Sequence, residues 1–495
     1  MGIVFRQSVK SSLATFAGAL LGALVIYLST YFLPKQEFGF RSTLTNYAVV
    51  AGQILLFGLH NTIAVYIHRY EPGDRRGPVL LTATMMIPAL LIGAATIVYA
   101  LCRESITHLF QPDDIPFITS YFYWLPLFTL LFAYQVILET YLISQLKVAK
   151  ATFIREVLLR VLNILLIVLF GLNYISYDWL IYGTVLIYLI PIALLLAIAW
   201  RTEPFKFSFA IQVFSKAERF ELIHFTWYHS LLSVTLTLMG MLDALMVATL
   251  SRRGLSAVPV YTISVFIISF LLIPYRAMLN STFALLAQAF KDSNLAKAKD
   301  IFVRSSLNIF IASVAMLLLI VCNLHNAVKI LPSGYEEIVP VVIILSLGRM
   351  ADMITGMNDQ VLSVSSHYRY NFFISIALVV LIVIFNWFLI PRYDVIGAAW
   401  GTTLAMIVYN LLKLIVVKAK LNMQPLSKRT FYVTAAGGLA FLAGYFLPEA
   451  GGPVIDAAWR SLLILCIYLA GLIYFKPSPD LVEYLASIRE NKRLF

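Results

Sequence analysis

Long uninterrupted apolar stretches recur from one end of this chain to the other, and they leave it very few ways to fold. A helix needs about 20 apolar residues to cross the hydrocarbon core of a bilayer. Fourteen stretches of that order are present, at approximately 12–34, 44–66, 78–101, 116–143, 152–171, 177–200, 222–249, 257–285, 306–323, 337–363, 371–390, 396–417, 430–447 and 458–475. In lipid every backbone polar group needs an internal partner, so only helices and closed barrels cross it. Barrel strands alternate apolar and polar residues. These runs do not, so helices are expected. Of 495 residues, 61% are hydrophobic and 13% charged, about half the charge of an ordinary soluble domain. The fold class predicted is an all-α integral membrane protein with fourteen transmembrane helices.

Basic residues set the orientation. Most of the 37 Lys and Arg fall on the side of the termini, including Arg69, Arg75 and Arg76; Lys291, Lys297 and Lys299; and Lys418, Lys420, Lys428 and Arg429. The loop from Asn173 to Asp178 on the other side has none. Both termini are therefore expected in the cytoplasm. The formal charge of +12 reads as this bias plus attraction to anionic membrane lipid, with no call for nucleic acid. No small-residue cleavage pattern follows the first apolar run, so the first helix is expected to stay.

An offset of 220 residues organises the chain internally. Cys102 returns as Cys322, Pro112 as Pro332 and Glu139 as Asp359. Six long apolar stretches precede the offset and six follow it. The expected domains are a six-helix bundle over 1–200, a cytoplasmic linker over 201–221, a second six-helix bundle over 222–420, two further helices over 421–475 and a cytoplasmic tail over 476–495. A duplicated bundle of membrane helices reads as a transporter with its site where the repeats meet. Residues 208–225 read as a segment along the membrane surface. The tail, with Arg489, Glu490, Lys492 and Arg493, reads as a solvated helix. Pro88, Pro126, Pro191, Pro274 and Pro340 read as kinks within spans. Gly18 and Gly22 form a close-packing pair.

Ionisable groups at membrane depth cost about 2.5–3.5 kcal/mol on insertion scales and are functional candidates by default. The tenth stretch is richest: Arg349, Asp352, Gly356 and Asp359 share one face at helical spacing. There Arg349 and Asp352 can pair, which leaves a neutralised structural pair as the alternative to a functional one. The fourth stretch presents Gln135 and Glu139 likewise. At an offset near 216, Gly58-Leu59-His60-Asn61 aligns with Pro274-Tyr275-Arg276-Ala277. A guanidinium fork at Arg276 matches phosphate oxygens and repels a drug-like cation. Substrate-binding candidates are thus Arg276, Arg349, His60 and Asn61. Candidates for a cavity acid or ion coupling are Glu139, Asp352, Asp359 and Asp243, with Arg160 a further charge in the fifth stretch.

Catalysis finds little support. Asp113-Asp114 resembles an acidic metal pair but reads better as a solvated turn. There is no Walker loop, H-E-x-x-H or nucleophile elbow. The three Cys lack metal or disulfide spacing and read as buried thiols. No enzyme activity, metal or cofactor is expected, so uphill transport would draw on an ion gradient, a membrane potential or a partner.

Two local textures then point to a family. They are Met241-Leu242-Asp243-Ala244-Leu245-Met246 followed by Val260-Tyr261-Thr262-Ile263, and Asn386-Trp387-Phe388-Leu389-Ile390-Pro391 running into Ile396-Gly397-Ala398-Ala399-Trp400-Gly401. With these the chain resembles, over nearly all its length, bacterial polysaccharide flippases of the O-antigen type. Their superfamily also holds multidrug exporters and lipid II flippases. Asp394 replaces the family's usual glycine after Tyr393. The resemblance implies two pseudo-symmetric six-helix bundles arranged as a V, plus helices thirteen and fourteen, alternating between inward-open and outward-open states. It also implies a cationic cavity for a sugar-pyrophosphate head, with the polyprenyl tail left in the bilayer. The expected cargo is an undecaprenyl-pyrophosphate-linked saccharide, moved across the bacterial cytoplasmic (inner) membrane by a monomer. Coupling to H+ or Na+ stays open. Lipid II flipping, cation-coupled drug export and an integral-membrane glycosyltransferase are the rivals.

Overall fold

The structure, a computed structural model, describes residues 3–70, 74–201 and 207–480. The tail residues Arg489, Glu490, Lys492 and Arg493 lie outside the described residues, as does part of the expected 201–221 linker. Every regular element among the described residues is helical. The principal helices are α1 (Ile3–Phe32), α2 (Lys35–Leu55), α3 (Leu59–Tyr66), α4 (Arg76–Leu101), α5 (Trp124–Ser144), α6 (Leu159–Gly171), α7 (Tyr177–Leu186), α8 (Leu189–Trp200), α9 (Lys216–Leu250), α10 (Val258–Ser269), α11 (Ile273–Lys291), α12 (Leu295–Val321), α13 (Ile338–Thr355), α14 (Asn358–Val364), α15 (Tyr368–Leu421), α16 (Lys428–Tyr445) and α17 (Pro453–Phe475).

Ten described helical segments are long and apolar enough to cross a membrane, or eleven if the bent pair α2 and α3 counts as one. The fourteen expected are not reached by that measure, and interruptions explain much of the gap. The 54-residue α15 holds two helices joined at Asp394, whose backbone leaves the helical region at φ 58°, ψ −134°. The stretch before α6 is broken by a π-turn at Ile154–Leu158.

Packing divides the chain into two compact units, Met1–Pro259 and Val260–Phe495. In the first, the core is built on Leu56, Ile63, Leu81, Ile137, Leu142 and Leu195. In the second, one core gathers Leu286, Phe302, Met353, Met357 and Leu362, and another gathers Phe310, Val314, Val433, Ile464 and Tyr468. Buried faces of this kind are what fix the rotation of each helix, since propensity alone does not.

Local chemistry sets the ends. Ser215 caps α9 in a reciprocal capping box with Glu218, leaving two otherwise orphan N–H groups satisfied. The helix runs unbroken from Lys216, so residues 216–225 form its first turns. Cys102 and Cys322, the first pair in the 220-residue offset, each form the C-cap of a long helix, α4 and α12. Cys322 is buried, but Cys102 and Cys466 are exposed, against the expectation of three buried thiols. Of the prolines expected to kink spans, Pro88 lies inside its helix. Pro126, Pro191, Pro274 and Pro340 lie in first turns, where a missing N–H breaks no intrahelical bond. Gly18 packs on α6, where a Cβ would come within 2.4 Å of the Arg160 guanidinium. Asp114 is not in a solvated turn: it is buried and accepts from the Leu255 N–H and Gln36 Nε2, each at 2.8 Å.

Candidate functional site

Both units break a helix at the positions aligned in sequence. In the first, α2 and α3 are bent by 57°, with Phe57 and Gly58 at φ 50° and 73° between them. A Cβ on Gly58 would lie 2.5 Å from the Thr226 carbonyl and 2.6 Å from the Ser230 nitrogen, so only glycine brings this turn against α9. His60 and Asn61 follow at once. In the second unit, a 3-10 turn at Phe270–Leu272 separates α10 from α11, and Arg276 follows. Interrupted helices at corresponding positions of two repeats are a feature of substrate regions in many secondary transporters.

A polar seam joins α3 to α9. Asn61 Nδ2 donates to Ser233 Oγ at 2.8 Å, and the Thr62 and Thr226 hydroxyls lie 2.7 Å apart. Tyr66 and Arg69 both donate to Glu221, at 2.8 and 2.9 Å. Arg76 at the start of α4 reaches Glu218 at 2.8 Å and Asp74 at 2.8 Å. Asp74, in the loop, is held below the usual carboxylate range by its hydrogen bond from Arg76. His60 is buried, with Nε2 3.3 Å from Gln53 Nε2 and Nδ1 lacking a hydrogen-bond partner among the described residues. Asn61 is therefore engaged with a neighbouring helix, whereas one ring nitrogen of His60 has no such partner among the described residues.

The predicted arginines and acids are placed differently. Arg276 is exposed and Arg349 half-buried, and neither has a hydrogen bond or ion pair among the described residues. Arg349 does not pair with Asp352. Nor do residues 349, 352, 356 and 359 share one continuous helical face. Gly356, at φ 59° and ψ −111°, ends α13, and a fresh helix starts at Asn358. A Cβ there would lie 2.4–2.6 Å from Ser306 atoms. The Ser306 hydroxyl caps the break by accepting from the Met357 N–H at 3.2 Å.

Two of the four predicted acids, Glu139 and Asp359, are committed to bases. Glu139 is buried and accepts from Arg155 Nη1 at 2.5 Å. Asp359 contacts Lys413 Nζ, and the Tyr409 hydroxyl donates to its Oδ1 at 3.3 Å. Lys413 is 1% exposed and also contacts the Tyr409 hydroxyl. Asp352 lies close enough to Lys413, Tyr409 and Tyr275 for its charge to act on all three. Asp243 is buried on α9, and Arg160 pairs with Glu156 at 2.9 Å.

Several charges escaped sequence reasoning. Arg155 and Lys413 are the bases just described. Arg41 is buried on α2 with neutral partners, Thr184 Oγ1 at 2.8 Å and Asn163 Oδ1. Asp456 and Arg460 form a buried pair at the start of α17, 3.0 Å apart. The signal available for Lys413 was an ionisable residue inside an apolar run. No group of three or more metal-type ligands occurs among the described residues.

No family model and no curated protein matches this sequence. Solved structures do. The chain is similar to the lipid II flippase MurJ in an inward closed conformation, with a TM-score of 0.77 at 15% identity, over 96% of this chain and 100% of that one. It is similar to a multidrug resistance MATE family transporter of the MOP superfamily in an inward-facing conformation, with a TM-score of 0.62 at 15% identity over 85% and 98%. A MOP superfamily transporter from Pyrococcus furiosus, described as having a binding pocket of reversed polarity, matches with a TM-score of 0.56 at 14% identity over 85% and 95%. The fold is that of MurJ and the MATE transporters.

Proposed function

We propose that this protein is a flippase that carries an undecaprenyl-pyrophosphate-linked saccharide from the inner to the outer leaflet of the bacterial cytoplasmic membrane by alternating access. The observation that carries this reading is the division of charge. Arg276 and Arg349 lack acidic partners, while Glu139 and Asp359 are each tied to a base. Uncommitted guanidinium groups suit a pyrophosphate, and the two committed carboxylates offer little to a drug-like cation. On this reading Arg276 and Arg349 of the second unit take the headgroup. Glu139, Asp352, Asp359 and Asp243 orient the cations or couple to an ion. Both termini lie in the cytoplasm and the chain works as a monomer.

The MurJ match, longer and higher-scoring than the MATE match, favours lipid II as the second reading. Restored growth of a strain depleted of its own lipid II flippase separates the two. A clean deletion tests the first: lipid-linked saccharide should accumulate on the inner leaflet while surface glycan is lost. Unchanged surface glycan with no trapped precursor would end that reading.

A further inference from the structure

In the first unit four charges alternate along one line. Arg155 Nη1 donates to Glu139 at 2.5 Å and its Nε donates to Glu156 at 3.0 Å; Arg160 then pairs with Glu156 at 2.9 Å. Arg155 and Glu156 sit in the π-turn between residues 154 and 158, a wide turn that recurs at functional sites in membrane and soluble helices. The chain of charges is neutral as a whole but its members are unequal. Glu156 has two bases. Glu139 has one, and its side chain is only 7% exposed, whereas Arg155 is 48% exposed. Among the described residues Arg155 Nη2 has no hydrogen-bond partner. A guanidinium placed only to reach the interface would turn outward; this one is anchored inward on a buried carboxylate.

We propose that Arg155 is an anion-binding residue for the pyrophosphate of a prenyl-linked substrate, and that Glu139 takes up one proton when Arg155 turns to it. This rests on the anionic-cargo reading above. Turned away from the two carboxylates, the guanidinium would present a pair of parallel N–H groups to two phosphate oxygens. Glu156 would keep Arg160. Glu139 would be left charged and buried without a base, a state that a carboxyl escapes by protonation. The charges that bear on Glu139 are Arg155 and Glu156. Among the elements packed on α5, which carries Glu139, α2 holds Lys35, Glu37 and Arg41, α3 His60, α4 Arg76, α7 Asp178 and the short helix Val148–Phe153 Lys150, while α8 carries no ionisable residue; Lys10 and Lys150 line the groove beside the π-turn. The proton comes from water and stays on the Glu139 carboxyl; no bond in the substrate changes.

The test is binding of geranyl pyrophosphate to the purified full-length protein in lipid nanodiscs, above the probe's own last titration. Wild-type affinity should rise about tenfold per unit fall in pH, with one proton taken up per probe bound. Glu139→Gln mimics the protonated acid, and should bind tightly with neither pH dependence nor proton uptake. Arg155→Ala should lose binding. A pH-independent wild type, a folded Glu139→Gln that keeps the wild-type slope, or an Arg155→Ala that binds as well as wild type would overturn the proposal. Saccharide-lipid transport that survives Arg155→Ala would overturn it too, and leave the flippase reading standing. Probe binding with proton uptake in a protein that moves no lipid-linked saccharide would support the site and remove that reading.

Discussion

Lys413 and Asp359 meet across a helix break: the ammonium of an almost fully buried side chain on α15 contacts the carboxylate that follows Gly356. Tyr409, one turn before Lys413, supplies a hydroxyl and an aromatic face 3.8 Å from the charge. Removing one member of a buried pair costs about 3–5 kcal/mol. Asp359 is one-third exposed, which puts this pair toward the lower end. Lys413→Met should lower the thermal stability of the detergent-solubilised protein clearly. Adding Asp359→Asn should recover part of the loss, because the carboxylate no longer lacks its base. Additive losses would mean the two side chains do not stabilise one another.

Two glycines should be intolerant and a third indifferent. Gly58 and Gly356 have positive φ and no room for a Cβ, while nothing lies within 4 Å of where one would sit on Gly93. Backbone strain of this kind costs about 1–3 kcal/mol before any overlap is counted. Alanine at 58 or 356 should reduce the folded yield in membranes, and Gly93→Ala should leave it unchanged. Because Ser306 meets Gly356 with backbone as well as side chain, Ser306→Ala should not rescue Gly356→Ala.

Much of this was legible in the sequence, and the part that was not has a physical cause. The 220-residue offset finds equivalent helix ends, since Cys102 and Cys322 are both C-caps. The alignment of His60 with Arg276 finds equivalent breaks. Three-and-four spacing failed at Gly356, because a rule for continuous helices cannot register a residue that leaves the helix. Arg41 was missed because Lys35, Glu37 and Arg41 look like a loop, although α2 begins at Lys35. Arg155 was missed because a charge near a span end looks like an interface anchor. Its role depends on Glu139, sixteen residues earlier, and a pairing at that distance leaves no periodic trace.

Buried and exposed ion pairs in the second unit should behave oppositely. Arg460 and Asp456 are almost fully buried, and Arg460 also donates to the Gly444 carbonyl at 2.5 Å. Arg460→Ala should destabilise by about 3–5 kcal/mol. The pair between Lys329 and Glu449, at 2.7 Å, is largely exposed, and such pairs contribute about 0–1 kcal/mol. Lys329→Ala should leave the melting temperature nearly unchanged. Equal effects in the two variants would contradict this assignment of burial.

The central claim is that the uncommitted positive charges of the helices hold a phosphorylated headgroup. Its most direct measurement is translocation of a defined undecaprenyl-pyrophosphate saccharide in vesicles by wild-type protein, Arg276→Ala and Arg349→Ala. Neither arginine makes a hydrogen bond or ion pair among the described residues, so both variants should fold and melt like wild type. Each should lose translocation by tenfold or more, about 1.4 kcal/mol of lost binding. Normally folded variants that carry the lipid at the wild-type rate would contradict the account.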